Sequence, residues 1–274
     1  MTTPLTPGGP RKSLGQHFLF DPEVLRRIAG AGGAIEGRTV IEVGPGPGGL
    51  TRALLEAGAA PLIAIELDER FAEGLRLWPE ARNGRLHVHQ GDAMGLAMPD
   101  LIAAAGGAPP AMIIANLPYN VATPLLVAWL KAGDWRGAMV LMFQKEVALR
   151  ICAGPEDEHY GRLAVLAQAV MRTRLAFSLP PGAFRPPPKV DSAVVVLEPL
   201  APEARFGDLG ALESITAAAF GQRRKMLRVA LKSLSGGPEA LERAGITPTR
   251  RAETLSQSEF RSLARAWREL GGPA

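Results

Sequence analysis

The chain has 274 residues, 47% of them hydrophobic and only 5% aromatic, with 31 Lys and Arg against 27 Asp and Glu and a pI near 9.6. Such a length supports one large domain, or a large and a small one, around an aliphatic core, and no apolar run is long enough to span a bilayer. Cys152 is the only cysteine, which excludes an intrachain disulfide and a cysteine-based metal cluster; a reducing, cytoplasmic setting is expected, with Cys152 a small buried hydrophobe.

Residues 1–10 are polar and proline-rich, and no hydrophobic segment follows Arg11 and Lys12, so they read as a disordered tail and not as a secretory signal. Asp21-Pro22 is a helix N-cap and first-turn pair and predicts a helix through Val24, Leu25 and Ile28. The residues before it, Phe18 and Leu19 among them, read as a loop or short helix on the pocket side.

The organising stretch is Thr39-Val40-Ile41-Glu42-Val43-Gly44-Pro45-Gly46-Pro47-Gly48-Gly49-Leu50. An unbroken β-branched run is the mark of a strand buried on both faces. The glycines after it permit a sharp reversal against which a ligand can lie, and the helix from Gly49 onward directs its first amides there. Gly44-x-Gly46-x-x-Gly49, with Glu66 22 positions after Gly44, also satisfies the dinucleotide fingerprint, so the motif alone does not separate NAD from S-adenosylmethionine. Glu42 inside the strand and prolines at Pro45 and Pro47, which remove amide donors a pyrophosphate would use, favour the methyl donor.

Strand and helix then alternate. Strands are predicted at Leu62–Glu66, Leu86–Gln90, Ala111–Ala115, Gly137–Phe143, Met171–Phe177 and Ser192–Leu197, with helices from Asp68 through Leu77, from a Thr123-Pro124 cap, and over Leu163–Val170. His87 and His89 fall in a strand, and no metal site is expected. With Thr39–Val43 this makes seven strands in a doubly wound α/β sheet, whose ligands bind beyond the carboxyl ends of the strands. Gly44, Glu66, Asp92 and Asn116 occupy those ends: Glu66 can accept from both hydroxyls of a ribose, and Asp92 from an adenine amine.

Asn116-Leu117-Pro118-Tyr119 is the most informative tetrapeptide. An exocyclic base amine is a poor nucleophile because its lone pair is delocalised into the ring. The Asn116 side-chain oxygen and a main-chain carbonyl can hold the two amine hydrogens out of plane and localise that lone pair. Pro118 stiffens the turn and Tyr119 offers a face on which a flipped base stacks. In the proline loop that runs from Pro180 to Ser192, Phe184 reads as a second wall or as a hydrophobic plug.

After Pro199 the strand pattern stops, and a linker leads to helices. From Phe206 to Ala274 there are 11 basic residues against seven acidic ones, so the whole positive surplus of the chain sits in its last quarter. Across Gln222–Leu234 the spacing predicts an amphipathic helix, apolar at Leu227, Ala230, Leu231 and Leu234 and cationic at Arg223, Arg224, Lys225, Arg228 and Lys232, and this array favours contact with nucleic-acid phosphates.

With these residues in view, the sequence resembles the KsgA-type small-subunit ribosomal RNA adenine N6-dimethyltransferases. The resemblance is carried by Gly15-Gln16-His17-Phe18-Leu19, Glu42-Val43-Gly44-Pro45-Gly46, Glu66-Leu67-Asp68, Gly91-Asp92-Ala93, Asn116-Leu117-Pro118-Tyr119-Asn120, Gln144-Lys145-Glu146-Val147-Ala148, the loop from Phe184 to Ser192, and Gln222-Arg223-Arg224-Lys225. It implies a Rossmann-like class I methyltransferase domain over residues 11–200 with a seven-stranded, mostly parallel sheet, and a small helical RNA-binding domain over residues 206–274. It further implies that S-adenosylmethionine is held at His17, Leu19, Gly44, Gly46, Glu66, Asp92 and Asn116. Two adjacent adenosines near the 3′ end of small-subunit ribosomal RNA, in the immature 30S particle, would each receive two methyl groups; separately, no coiled-coil pattern or exposed strand edge in the sequence argues against a monomer. Most relatives carry asparagine where His17 stands. A related group methylates one large-subunit adenine, and a reading of another class makes the protein mainly an assembly factor.

Overall fold

The computed structural model describes residues 16–272; the expected tail at residues 1–10 and the Arg11, Lys12 and Gly15 positions lie outside them. The chain divides into two compact units, one up to Ala148 with Arg174–Glu198, the other Leu149–Thr173 with Pro199 onward. The second unit therefore takes in a segment that the sequence reading assigned to the larger domain.

In chain order the first unit runs β1 (Phe18–Leu19), α1 (Pro22–Gly30), β2 (Val40–Val43), α2 (Gly49–Glu56), β3 (Leu62–Glu66), α3 (Glu69–Arg76), the single turn α4 (Pro79–Arg82), β4 (Leu86–Gln90), α5 (Met98–Ala104), β5 (Ala111–Ala115), α6 (Tyr119–Leu130) and β6 (Arg136–Gln144). Then come α7 (Lys145–Cys152), α8 (Arg162–Gln168), β7 (Met171–Leu179), β8 (Phe184–Arg185) and β9 (Ser192–Pro199). The seven-stranded sheet has the order β4-β3-β2-β5-β6-β9-β7. Strands β4, β3, β2, β5 and β6 are parallel, and β9 runs antiparallel to β6. All the expected strands are present. Residues of β2, β3 and β5 are buried on both faces, as their unbroken apolar runs require. Because the chain leaves β2 toward β3 on one side and later returns to β5 on the other, the order reverses between β2 and β5. A crevice opens at that point at the carboxyl ends of the strands.

Three local expectations are corrected. Phe18 and Leu19 are neither loop nor helix: they pair antiparallel with β8, Phe18 opposite Arg185 and Leu19 opposite Phe184. Thr123-Pro124 does not begin α6. That helix starts at Tyr119, with Val121 and Ala122 N–H both bonded to the Pro118 carbonyl at 3.1 Å. Pro124 sits exposed in its second turn, where its ring supplies no N–H to the helical ladder.

The third correction is in the second unit, whose helices after Pro199 are α9 (Leu209–Gly221), α10 (Leu227–Ala230), α11 (Gly237–Arg243) and α12 (Gln257–Glu269). The continuous helix expected over Gln222–Leu234 is broken. Leu227 N–H bonds the Arg250 carbonyl at 2.7 Å and Arg228 N–H the Pro248 carbonyl at 3.0 Å, so these amides are not engaged with carbonyls four residues back, and Arg223–Lys225 form a turn. Leu227, Ala230 and Leu231 are still buried. Ser256 and Glu259 form a reciprocal capping box at the start of α12, which buries Phe260, Leu263 and Trp267.

Candidate active site

The residues predicted at the strand ends converge on one cavity. It is lined by the β2 loop (Gly44–Pro47), Glu66 and Leu67 after β3, Gly91–Ala93 after β4, Asn116–Asn120 after β5, and Gln16–Leu19. Gly44 and Gly46 have φ of +72° and +54°, the left-handed region that side chains disfavour. A Cβ on Gly46 would lie 2.6 Å from the Phe18 ring, so that loop packs where only glycine fits.

Every amide in this loop is accounted for. Gly44 N–H bonds the Ile65 carbonyl at 2.9 Å and Gly48 N–H the Pro45 carbonyl at 3.0 Å. Gly46 N–H bonds Glu66 Oε2 at 2.9 Å, and Pro45 and Pro47 have no N–H. The amides of α2 begin only at Gly49, and Gly44 to Gly48 thus present no free donor to a pyrophosphate. Their curved, N–H-poor surface suits a ligand held by hydroxyl, amine and apolar contacts.

Glu66 is 4% exposed. Its second oxygen accepts Asp68 N–H at 2.8 Å, so the carboxylate is fixed at both ends, and each oxygen keeps a lone pair for a ribose hydroxyl. Burial raises its pKa, and these amide hydrogen bonds oppose the shift. Asp92 caps a short 3-10 turn, Oδ1 accepting Met94 N–H at 2.9 Å. Glu42, the acid inside β2, also lines the cavity. It is 1% exposed, its Oε2 has no protein partner, and burial, with a smaller contribution from the Glu66 charge, pushes its pKa up to about 8. Because Glu42 was read only as a marker of ligand type, its place in the cavity wall was missed; a carboxylate within a β-branched run was the available signal.

On the other side of the crevice Asn116 Nδ2 donates to the His17 carbonyl at 3.1 Å, which leaves Oδ1 as an acceptor. The Tyr119 hydroxyl and Ser192 Oγ are 2.5 Å apart. The Tyr119 ring stacks on the His17 ring, centroids 5.7 Å apart at 26°, and burial raises the phenol pKa against the Ser192 hydrogen bond, so it stays neutral. Leu117 is buried and lines the cavity with Pro118.

Phe184 does not face this cavity. It is 2% exposed and belongs to the core cluster with Leu19, Leu25 and Phe177, because its pairing with Leu19 turns the ring inward. It is the plug and not the second wall. Of the five cations expected to meet RNA, Arg224, Lys225, Arg228 and Lys232 are exposed. Arg223 is engaged, its Nε 2.9 Å from Glu253 Oε2 and Nη2 3.4 Å from the Asp157 carbonyl. Among the described residues no group of three His, Cys, Asp or Glu side chains is placed to hold a metal ion, and no helix is long and apolar enough to cross a membrane.

Residues 9–268 match the ribosomal RNA adenine dimethylase family. The chain is 54% identical over 254 residues to ribosomal RNA small subunit methyltransferase A of Gluconobacter oxydans, covering 93% of this chain and 82% of that one. It is 55% identical over 263 residues to the protein of the same name from Caulobacter vibrioides, covering 96% and 98%. Among solved structures, a dimethyladenosine transferase from Plasmodium falciparum superposes with a TM-score of 0.77 at 25% identity, covering 93% of this chain and 99% of that one. The 23S rRNA methyltransferase ErmE superposes with a TM-score of 0.67 at 23% identity, covering 92% and 99%, a likeness of fold. With its sheet, its crevice and a match over nearly its whole length, the chain belongs to the ribosomal RNA adenine dimethylase family.

Proposed function

We propose that this protein transfers methyl groups from S-adenosylmethionine to the N6 amines of two adjacent adenosines near the 3′ end of small-subunit ribosomal RNA, two to each, during assembly of the 30S particle in the cytoplasm. The observation that carries the reading is the pairing, across one crevice, of a glycine loop without spare amides and an Asn116–Tyr119 turn whose amide oxygen is left to accept.

The cavity suits S-adenosylmethionine: Glu66 for the ribose hydroxyls, Asp92 for the adenine amine, Gly44, Gly46 and Leu19 for close contact, and Glu42 Oε2, which has no protein partner, for a polar group of the ligand. When bound, that cofactor supplies an electrophilic methyl group. The work of the chain is to present the acceptor. Asn116 Oδ1 takes one hydrogen of the target amine. The Pro118 carbonyl is already bonded to Val121 and Ala122 N–H, so we assign the second hydrogen to the Leu117 carbonyl. Holding both out of the ring plane returns the lone pair to nitrogen, and the base lies against Tyr119. No general base is needed before transfer, since methylation makes the nitrogen acidic. The exposed cations of the second unit serve as phosphate contacts.

The test is transfer of labelled methyl from S-adenosylmethionine to purified small subunits that lack the modification, with unmethylated large subunits alongside and the product mapped by primer extension. Stops at paired adenines near the small-subunit 3′ end are expected. Labelling of the large subunit alone would reassign the substrate, and tight subunit binding without transfer would favour an assembly factor.

A further inference from the structure

His17 stands at the meeting point of three elements that the reaction needs. Continuing the β1–β8 pairing one step places His17 opposite Pro186, and its ring Nδ1 lies 2.8 Å from the Pro186 carbonyl. A carbonyl only accepts, so Nδ1 carries the proton in this contact. The same residue offers its own carbonyl to Asn116 Nδ2 at 3.1 Å and its ring face to Tyr119. Six residues beyond Pro186 the proline loop ends at Ser192, whose Oγ bonds the Tyr119 hydroxyl, and the Asp191 carbonyl accepts Lys145 N–H at 2.9 Å.

We propose that the His17 side chain is a positioning residue for the acceptor base, and not the cofactor contact that the resemblance implies: its imidazole ties the proline loop to the Asn116–Tyr119 turn, and so sets where the amide oxygen and the tyrosine face point. This rests on the reading of Asn116 and Tyr119 as the groups that hold the target adenine. The side chain acts through the loop and the turn; only its main chain touches Asn116. A carbonyl bond to Nδ2 decides which end of the amide faces the cavity, and an amide turned the other way would present a donor to an amine that also donates.

Covalent geometry separates the two contributions of the ring. Asparagine carries Nδ2 at the same number of bonds from Cβ as histidine carries Nδ1, so His17→Asn keeps a donor for Pro186 and loses the stacked ring. His17→Phe keeps a ring and loses the donor, and His17→Ala loses both. If the loop tie dominates, His17→Asn transfers methyl groups to small subunits with kcat within about threefold of the parent, whereas His17→Phe and His17→Ala fall about tenfold or more, with the cofactor Kd of all three within about threefold. Amide hydrogen exchange in residues 189–192 speeds up in the Phe and Ala variants and not in the Asn variant, a readout independent of turnover. The Asn–Phe contrast stands even if the alanine variant does not fold. Equal kcat in the Asn and Phe variants, or loss of cofactor affinity in step with loss of kcat, would overturn the proposal, the latter by making His17 a cofactor ligand. A parent enzyme that labels no small subunit would instead overturn the functional reading, while the exchange comparison would still report on the tie.

Discussion

Replacing Glu42 with glutamine should make the cofactor-free protein more stable at neutral and alkaline pH, while leaving it nearly unchanged near pH 4. Glu42 is 1% exposed and its folded pKa, pushed up by burial, is about 8 against 4.5 for the free carboxyl. The fold therefore holds the proton more tightly than the unfolded chain does. The resulting contribution is fully present below about pH 4.5 and is lost as pH rises to about 8. At pH 7 the loss is on the order of 3 kcal/mol, from roughly 2.5 pH units at about 1.4 kcal/mol each, and it reaches roughly 5 kcal/mol above pH 8. Glutamine has the same shape and does not titrate, so the variant lacks this slope. The other titrating groups are common to both proteins and cancel in the difference. Urea unfolding at pH 5, 6, 7 and 8.5 measures it, with the buried Trp78 and Trp129 reporting on the first unit separately from Trp267 in the second. Stability curves of parent and variant that stay parallel from pH 5 to 8.5 would refute the assignment of a proton to Glu42.

Asn116→Ala should abolish methyl transfer and leave cofactor affinity within about tenfold, measured by calorimetry beside single-turnover kinetics; a comparable loss of both would place the amide mainly on the donor side. Glu66→Ala should weaken cofactor binding by about 100-fold or more and lower the melting temperature as well, because the Gly46 and Asp68 amides lose their buried acceptor; unchanged binding would remove Glu66 from the ribose site. Tyr119→Phe deletes only the 2.5 Å contact with Ser192 and should lower kcat less than about tenfold, whereas Tyr119→Ala should cost far more; equal losses would show that the hydroxyl and not the ring face matters. Replacing Arg224, Arg228 and Lys232 together with alanine should raise KM for subunits and flatten its dependence on log salt by about three, with kcat unchanged; an unaltered salt slope would move the phosphate contacts elsewhere.

The parts of this protein that depend on local chemistry were readable one residue at a time. Buried parallel strands must be continuous apolar runs, so β2, β3 and β5 could be placed closely, and a ligand crevice follows from where such strands end. Glu66, Asp92 and Asn116 line one cavity because strand ends in a doubly wound sheet converge, whatever their separation in the chain. Pairings between distant segments left no comparable trace. The two-residue ladder of β1 with β8 is too short to show a period, yet it turns Phe184 into the core and brings Pro186 to His17. Likewise the run Gln222–Leu234 has helical spacing, but the carbonyls of Arg250 and Pro248, 23 and 20 residues on, take the Leu227 and Arg228 amides and break it. Spacing records which face of an element is apolar. Which carbonyl an amide meets, and which way an asparagine or histidine is turned, is decided only once distant chain segments are side by side.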